Sequence, residues 1–219
     1  MRAAVLRFLT FMKIILCRHG QTTHNVANIC SGCNDIGISE TGIRQAHAIG
    51  STLKKFGVTK LFCSDLRRAV ETALIVSRYT LCDPIIRSEL RERSFGIFEG
   101  RLGEDLRADL AVSGLSPETY RPNGGENYYD VLERAKLFRD FLSKEGTGGI
   151  IGVIAHGNFN CAFLTLWTGG SPCDLKQDQA CINIVEDAFG NAARVSLLNS
   201  VDHIADSTEN KTEQKTYSI

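Results

Sequence analysis

The chain shows two periods in its pattern of apolar and polar residues, and each period predicts a different kind of element. Short apolar runs rich in Ile, Val and Leu, which are typical of buried strands, cover residues 13–17, 58–63, 84–86, 150–155, 182–185 and 194–198. Stretches with apolar residues at every third or fourth position, which are typical of amphipathic helices, cover residues 39–57, 65–79, 126–144 and 159–167. Strands that alternate with long helices indicate a three-layer α/β/α sandwich with a mostly parallel central sheet.

The same spacing predicts which helical side chains face the sheet. Ser39 is a typical helix N-cap and Gly57 a typical helix stop, and together they bound the first helix. The predicted inward faces are Ile43, Ala46, Ile49 and Leu53 in the first helix, Leu66, Val70, Ala73 and Leu74 in the second, and Val131, Leu132, Ala135, Phe138 and Leu142 in the third. A turn at residues 190–191 is expected to join the last two strands.

The domain organisation is predicted to be simple. A length of 219 residues fits one compact domain, and neither an internal repeat nor a linker divides the chain. We expect residues 1–11 to be an optional N-terminal extension, because Met12 begins a second possible start. Residues 12–203 would then form the catalytic domain. Residues 204–219 are polar, lack apolar periodicity and are expected to be a disordered tail.

The N-terminal residues are apolar and basic, so targeting must be considered. They contain no convincing signal-peptide cleavage site, and no apolar run reaches the roughly 18 residues of a membrane span. We therefore expect a cytoplasmic protein without a membrane partner. Mitochondrial targeting by the extension is the minor alternative.

The charges balance, with 25 Lys and Arg against 25 Asp and Glu. A net charge of zero argues against a protein that coats nucleic acid or anionic membrane, so no nucleic-acid partner is expected. The balance still allows a small basic pocket, and it leaves the oligomeric state open.

The eight cysteines do not form an evident metal-binding pattern. Four of them lie in apolar runs, where cysteine behaves as a small hydrophobic residue: Cys17, Cys63, Cys161 and Cys181. Cys30 and Cys33 form one CxxC pair, but zinc would need a second ligand pair. We expect reduced thiols, no metal and no cofactor, with a redox or metal role of Cys30 and Cys33 as the alternative.

Basic and imidazole side chains follow three of the predicted strands. These segments are Arg18-His19-Gly20-Gln21-Thr22, Ser64-Asp65-Leu66-Arg67-Arg68 and His156-Gly157-Asn158. In open α/β sheets, ligands bind at the carboxyl ends of the strands, and buried cations need an anionic partner. Guanidinium groups and helix N-termini both bind phosphate well. An imidazole in such a site can also act as a nucleophile if one ring nitrogen is held by a carbonyl.

These segments occur together with further motifs that resemble the histidine phosphatase superfamily, the phosphoglycerate-mutase-like group. The motifs are Arg18-His19-Gly20 with Thr22 and Asn25, Ser64-Asp65-Leu66 with Arg68-Ala69, Leu90-Arg91-Glu92-Arg93 with Gly96 and Glu99-Gly100, and Ala155-His156-Gly157. The resemblance runs from about residue 12 to residue 203. It implies a phosphoglycerate-mutase-like fold.

The resemblance also implies a role for each matching residue. His19 corresponds to the nucleophile that forms a phosphohistidine, and Glu92 to the general acid that protonates the leaving group and then activates water. Arg18, Arg68 and the catalytic His156 correspond to a phosphate-binding cage, to which Asn25 adds a further ligand. No metal is implied. Glu99 is the alternative pocket carboxylate, although Glu92 holds the matching position.

Other residues in or near these motifs are candidate substrate contacts. They are Gln21, Thr22, Ser31, Gly32, Arg91, Arg93 and Asn158. Arg91 and Arg93 are equally compatible with surface charges. Arg67 is expected to point to solvent, since adjacent helical residues cannot both face the site.

Within the superfamily, the loop motifs are most similar to animal fructose-2,6-bisphosphatases that regulate glycolysis and apoptosis, and to microbial broad-specificity phosphatases. The resemblance thus implies hydrolysis of a small phosphorylated metabolite, with fructose 2,6-bisphosphate or a related sugar or glycerate phosphate as the predicted substrate. A phosphoglycerate mutase is one alternative, but the mutases of this superfamily typically carry a longer lid region than the segment between Glu92 and His156. A catalytically silent binding protein is the other, although no core motif residue is missing.

Overall fold

A six-stranded sheet lies at the centre of the structure, a computed structural model that describes residues 12–145, 148–186, 188–189 and 193–205. The strands are β1 (Met12–Arg18), β2 (Lys60–Cys63), β3 (Pro84–Ile86), β4 (Gly149–Ala155), β5 (Ile182–Glu186) and β6 (Arg194–Ser200). Their order across the sheet is β3-β2-β4-β1-β5-β6. All six predicted strands are therefore confirmed.

The pairing of β1 with β4 positions the site. The two strands are parallel and in register from Met12 opposite Gly149 to Arg18 opposite Ala155. β2 runs parallel to β4 on its other side, and β3 runs parallel to β2. β5 is antiparallel to β1, and β6 is antiparallel to β5. The sheet is thus mostly parallel, as predicted, and the segments after β1, β2 and β4 leave it at one edge.

Helices cover both faces of the sheet. They are α1 (Thr23–Val26), α2 (Glu40–Phe56), α3 (Arg67–Thr80), α4 (Gly103–Ser113), α5 (Tyr128–Glu145) and α6 (Gly157–Thr168), with short 3-10 turns at Ser88–Leu90, Gly96–Phe98 and Pro172–Asp174. Ile15 and Cys17 of β1 pack with side chains of α2 and α3. Ile14 and Leu16 of the same strand pack with side chains of α5 and α6. This alternation confirms the three-layer sandwich, because neighbouring side chains of a strand point to opposite faces.

Two predicted inward positions are wrong. Ile43 in α2 is 42% exposed, and Leu74 in α3 is 51% exposed. The inward face of α3 instead includes Arg68 and Thr72, which are buried although they are polar. An apolar pattern alone predicts that the most hydrophobic side of a helix faces the core. Helix α3 is instead rotated so that polar side chains reach the site. Leu66 is buried but precedes α3 as its N-cap residue.

Some of the predictions fall outside the described residues. These are the N-terminal extension of residues 1–11, the turn at residues 190–191 and the tail from residue 206 onward. Residues 202–205 form a helical turn, which overlaps the first two residues of the predicted tail. Among the helices of the described part, none combines the length and the apolar character that a membrane span requires.

Candidate active site

The register of β1 and β4 brings His19 and His156 together, since each residue directly follows a strand end. The backbone N–H of His19 donates to the carbonyl of Ala155 at 3.0 Å. The centres of the two imidazole rings are 5.1 Å apart. Both side chains are buried, His19 to 2% exposure and His156 completely.

The hydrogen bonds of His19 fix its tautomer. Nδ1 lies 2.7 Å from the carbonyl oxygen of Gly20, which can only accept, so Nδ1 carries the proton. Nε2 then holds a lone pair, and it accepts a hydrogen bond from Nε of Arg68 at 3.2 Å. Burial holds the pKa of His19 well below its usual value, and the charges of Arg68 and Arg18 lower it further. His19 is therefore a neutral imidazole whose Nε2 can attack an electrophile.

A close backbone approach supports the loop that carries His19. A Cβ atom on Gly20 would lie only 2.5 Å from the carbonyl oxygen of Gly42 in α2. The N–H of Gly20 donates to the hydroxyl of Thr72 in α3 at 3.1 Å. Only glycine fits here, and the contact holds the carbonyl that orients His19.

Arg68 links the nucleophile candidate to the next loop. It lies in the first turn of α3 and is 1% exposed. Its Nη2 donates to the carbonyl of Gly32 at 2.6 Å, and its Nη1 donates to the carbonyl of Asn34 at 3.0 Å. One guanidinium group thus orders both His19 and the loop that follows α1.

A buried, hydrogen-bonded group of amide side chains supports Arg18, and it was not predicted from the sequence. Its Nη1 donates to the backbone carbonyl of Gln177 at 2.6 Å. The side-chain oxygen of Gln177 accepts from Nδ2 of Asn183 at 2.8 Å and from Nδ2 of Asn160 at 3.2 Å. Asn183 also donates to the carbonyl of Leu16 in β1 at 3.1 Å. The guanidinium is therefore held by a network that reaches into the sheet.

Several buried nitrogens of these residues have no hydrogen-bond partner among the described residues. They are Nε of Arg18 and both ring nitrogens of His156. Burial holds the pKa of His156 well below its usual value, and the charges of Arg68, His19 and Arg18 add to this effect. An unsatisfied buried polar group costs about 1–3 kcal/mol. A cluster of them beside two arginines fits an anion with several acceptor oxygens.

Glu92 supplies a carboxyl group to the same pocket. It is 7% exposed, and its Oε1 accepts from the N–H of Asn158 at 3.0 Å and from the N–H of Arg93 at 2.9 Å. Asn158 lies in the first turn of α6, so the carboxylate sits at a helix N-terminus. Glu99, the alternative carboxylate, instead accepts from the N–H of Phe95 and the hydroxyl of Ser94, both at 3.0 Å.

These residues line one pocket of about 200 Å³. The predicted site residues in its wall are Arg18, His19, Asn25, Ser31, Gly32, Arg68, Glu92 and Asn158. Ile29, Cys30 and Phe95 complete the wall and were not predicted. His156 is not part of the wall itself and lies against His19.

Four predicted substrate contacts lie outside this wall. The side chain of Gln21 accepts from the hydroxyl of Ser39, and Thr22 caps α1 through its contacts with Asn25. These two side chains therefore stabilise helix starts.

Arg91 and Arg93 have separate partners. Arg91 is exposed and forms a bidentate ion pair with Asp65, at 2.6 to 3.0 Å. Arg93 is buried, so the surface-charge alternative is wrong for it. It donates to the backbone carbonyls of Glu126 and Tyr120. Arg67 is exposed as predicted and pairs with Glu71.

A model of the family described as histidine phosphatase superfamily (branch 1) matches residues 14–200. The chain belongs to the histidine phosphatase superfamily. The match includes most of β1, all of the other five strands and both histidine motifs, so the resemblance seen in the sequence is confirmed.

Relatives of this superfamily member include several named phosphatases. The fructose-2,6-bisphosphatase TIGAR B of Danio rerio is 39% identical over 135 residues, which are 59% of this chain and 52% of that protein. The metal-independent phosphoserine phosphatase of Arabidopsis thaliana is 29% identical over 180 residues, 79% of this chain and 75% of that protein. The aligned part thus spans about half the length of the TIGAR relative.

Solved structures show the same fold. Bacillus stearothermophilus YhfR superposes with a TM-score of 0.79 at 25% identity, over 88% of this chain and 99% of that one.

Within this superfamily member, the described residues contain no group of three or more His, Cys, Asp or Glu side chains that could hold a metal ion. All eight cysteines are free thiols.

Proposed function

We propose that the protein hydrolyses phosphomonoesters through a phosphohistidine at His19. The observation that carries this proposal is the fixed tautomer of His19, whose lone pair on Nε2 lies in a pocket beside two arginines. A phosphoryl group would give the unpartnered nitrogens of Arg18 and His156 acceptor oxygens. The named relatives support phosphate-ester chemistry.

The first proposed step transfers the phosphoryl group to the protein. The Nε–H of Arg68 shifts from Nε2 of His19 to a phosphoryl oxygen, which frees the lone pair of Nε2. Nε2 then attacks phosphorus as the bond from phosphorus to the ester oxygen breaks, and the carboxyl group of Glu92 donates its proton to the departing oxygen. Arg18, Arg68 and His156 stabilise the charge on the remaining phosphoryl oxygens. Protonation of a poor leaving group contributes roughly 10²–10⁴-fold to the rate.

The second proposed step releases phosphate. The carboxylate of Glu92 takes a proton from water, the water oxygen attacks phosphorus, and the bond from phosphorus to Nε2 breaks. His19 recovers its lone pair and Glu92 its proton. The same carboxyl group therefore serves both steps, and it lines the same pocket as His19.

A direct test follows both products of this scheme. With phenyl phosphate and glycerol 3-phosphate, we expect release of inorganic phosphate together with an acid-labile phosphoryl group on His19 in rapidly quenched samples, mapped by mass spectrometry. Phosphoryl transfer between glycerates without release of phosphate would support the mutase alternative instead. Binding without any turnover would support the silent alternative.

The role of Glu92 gives a prediction that depends on the leaving group. Glu92→Gln should slow the hydrolysis of alkyl phosphates by roughly 10²–10⁴-fold, because an alkoxide needs a proton to leave. The kcat/KM for p-nitrophenyl phosphate should fall much less, whereas kcat should fall for both ester types because they share the second step. The measurement is therefore the ratio of kcat/KM values, which report the first step, for the two ester types in Glu92→Gln, with Glu99→Gln as the matched carboxylate control. A change of this ratio in Glu99→Gln and not in Glu92→Gln would assign the proton to Glu99.

The substrate itself stays a prediction. The relatives are named for fructose 2,6-bisphosphate and for phosphoserine, which differ in the number of phosphates and in the charge of the leaving group. Their names agree on the type of bond that is cleaved and leave the rest of the substrate open.

A further inference from the structure

The wall of the pocket beyond the phosphate cage, which we define as Arg18, His19, Arg68 and His156, is not basic. On the basis of the proposed function, we infer that the preferred substrate carries a single phosphate on a leaving group without further negative charge. The remaining wall is made of apolar and neutral polar side chains and one carboxylate, that of Glu92. Ile29, Cys30 and Phe95 are its apolar part.

The two arginines that flank Glu92 in the sequence bind other groups of the protein. Arg91 would have to give up its bidentate pair with Asp65 to reach a ligand. Arg93 is 5% exposed, donates to two backbone carbonyls and lies with its guanidinium carbon 4.8 Å from the ring centre of Tyr128. Buried groups with satisfied hydrogen bonds do not leave them without cost.

Arg134 is also fixed in place by its hydrogen bonds to other groups of the protein. It forms two bonds to the carboxylate of Glu126, at 2.9 and 3.0 Å. It also donates to the backbone carbonyls of Glu89 and Arg91, both at 2.8 Å. This arginine therefore supports the backbone that carries Glu92 and has no free face for a second anion.

Arg107 on α4 and Arg101 are exposed cations at the side of the pocket formed by Cys30, and Arg101 lies with its guanidinium carbon 6.0 Å from the ring centre of Phe98. Arg107 has an acidic neighbour on its own helix. It is exposed, and its contact with Glu104 is long, at 4.0 Å. Burial raises the pKa of the Cys30 thiol, and there Arg107 lowers the pKa while Asp105 and Glu99 raise it. At this corner of the pocket the acidic groups Asp105 and Glu99 thus act against the charge of Arg107.

A second anionic group would meet a cost in this pocket. It would lie within a space of about 200 Å³ whose lining beyond the phosphate cage carries no cation. An anion that loses its water without gaining a cationic partner binds poorly, so we expect at least about tenfold discrimination. Sugar and polyol monophosphates fit the neutral amides of Asn25 and Asn158 better. Fructose 2,6-bisphosphate would then be a poorer substrate than a sugar monophosphate.

The test uses two matched pairs of substrates. Glycerol 3-phosphate and 3-phosphoglycerate differ only in a hydroxymethyl group against a carboxylate, and fructose 1-phosphate differs from fructose 1,6-bisphosphate by one phosphate. We expect kcat/KM to be at least about tenfold higher for the less charged member of each pair. Equal values, or faster turnover of the more charged member, would overturn the inference and leave hydrolysis at His19 intact. If no ester is hydrolysed and no phosphohistidine forms, the proposed function itself fails.

The variant Arg107→Gln tests whether Arg107 binds a second anionic group of the substrate. The residue is exposed and outside the pocket wall, so the variant should fold normally. We expect the ratio of kcat/KM within each pair to stay within about twofold of the original protein, as is usual for an exposed surface charge. A loss of tenfold or more confined to the charged members would show that Arg107 binds a second anion and would also contradict the inference.

Discussion

His19→Ala should abolish turnover while the protein remains folded. The variant removes the only protein atom proposed to bond to phosphorus, and loss of a catalytic nucleophile lowers kcat by on the order of 10⁴-fold or more. The acid-labile phosphoryl group should disappear with the activity. Initial rates with p-nitrophenyl phosphate and quench-trapping on the same samples measure both effects.

A second histidine provides the control for this prediction. His47 is exposed on α2, where Nδ1 lies 2.8 Å from the hydroxyl of Tyr79. His47→Ala should keep its activity within about twofold, because it is a surface substitution away from the pocket. Circular dichroism and thermal unfolding check that both variants fold. Substantial turnover in a folded His19→Ala protein would refute the proposed chemistry.

The adjacent pair Arg67 and Arg68 gives the second large effect. Arg68→Gln should lower kcat/KM by roughly 10²–10³-fold, as found when a preorganised donor to a charged transition state is lost. It also removes the hydrogen bonds to His19, Gly32 and Asn34. Arg67→Gln, one residue away, loses only its surface pair with Glu71 and should behave like the original protein.

Two measurements make the comparison specific. The inhibition constant of inorganic phosphate should rise in Arg68→Gln and not in Arg67→Gln. Arg68→Lys should recover little activity, because an ammonium group cannot reproduce the planar fork that contacts the loop and the imidazole at once. Similar losses in Arg67→Gln and Arg68→Gln would mean that net charge at the pocket matters and that the buried geometry does not.

Much of the fold could be predicted from apolar periodicity, because burial controls most of it. β4, for example, is an almost uninterrupted apolar run, and a strand covered on both faces requires this pattern. The apolar pattern gave the wrong side-chain orientation for Ile43 in α2 and for Leu74 in α3, which are both exposed. Helix α3 buries Arg68 and Thr72 because they contact His19 and Gly20, and a hydrophobic pattern contains no information about such contacts.

The candidate site was predicted where a motif follows a strand end and was missed where the contacts are tertiary. Arg18, His19 and His156 could be placed together from topology alone. Gln177 and Asn183 could not, because their side chains bond to each other and to β1 only after the strands have paired. The contacts of Gln21 and Thr22 with helix starts also depend on the folded arrangement.

The central position of β1 and β4 has a consequence for how the protein becomes active. The strands β1 and β4, which precede the two imidazoles, are neighbours in the sheet, although each residue of β4 lies 137 positions after its partner in β1. Such non-local pairing slows folding, since a long loop must close before the contact forms. A nascent chain that ends at α5 contains Arg18 and His19, but β1 then has no β4 to pair with. A chain that ends before β4 lacks His156 and the wall residue Asn158, so we expect it to be inactive.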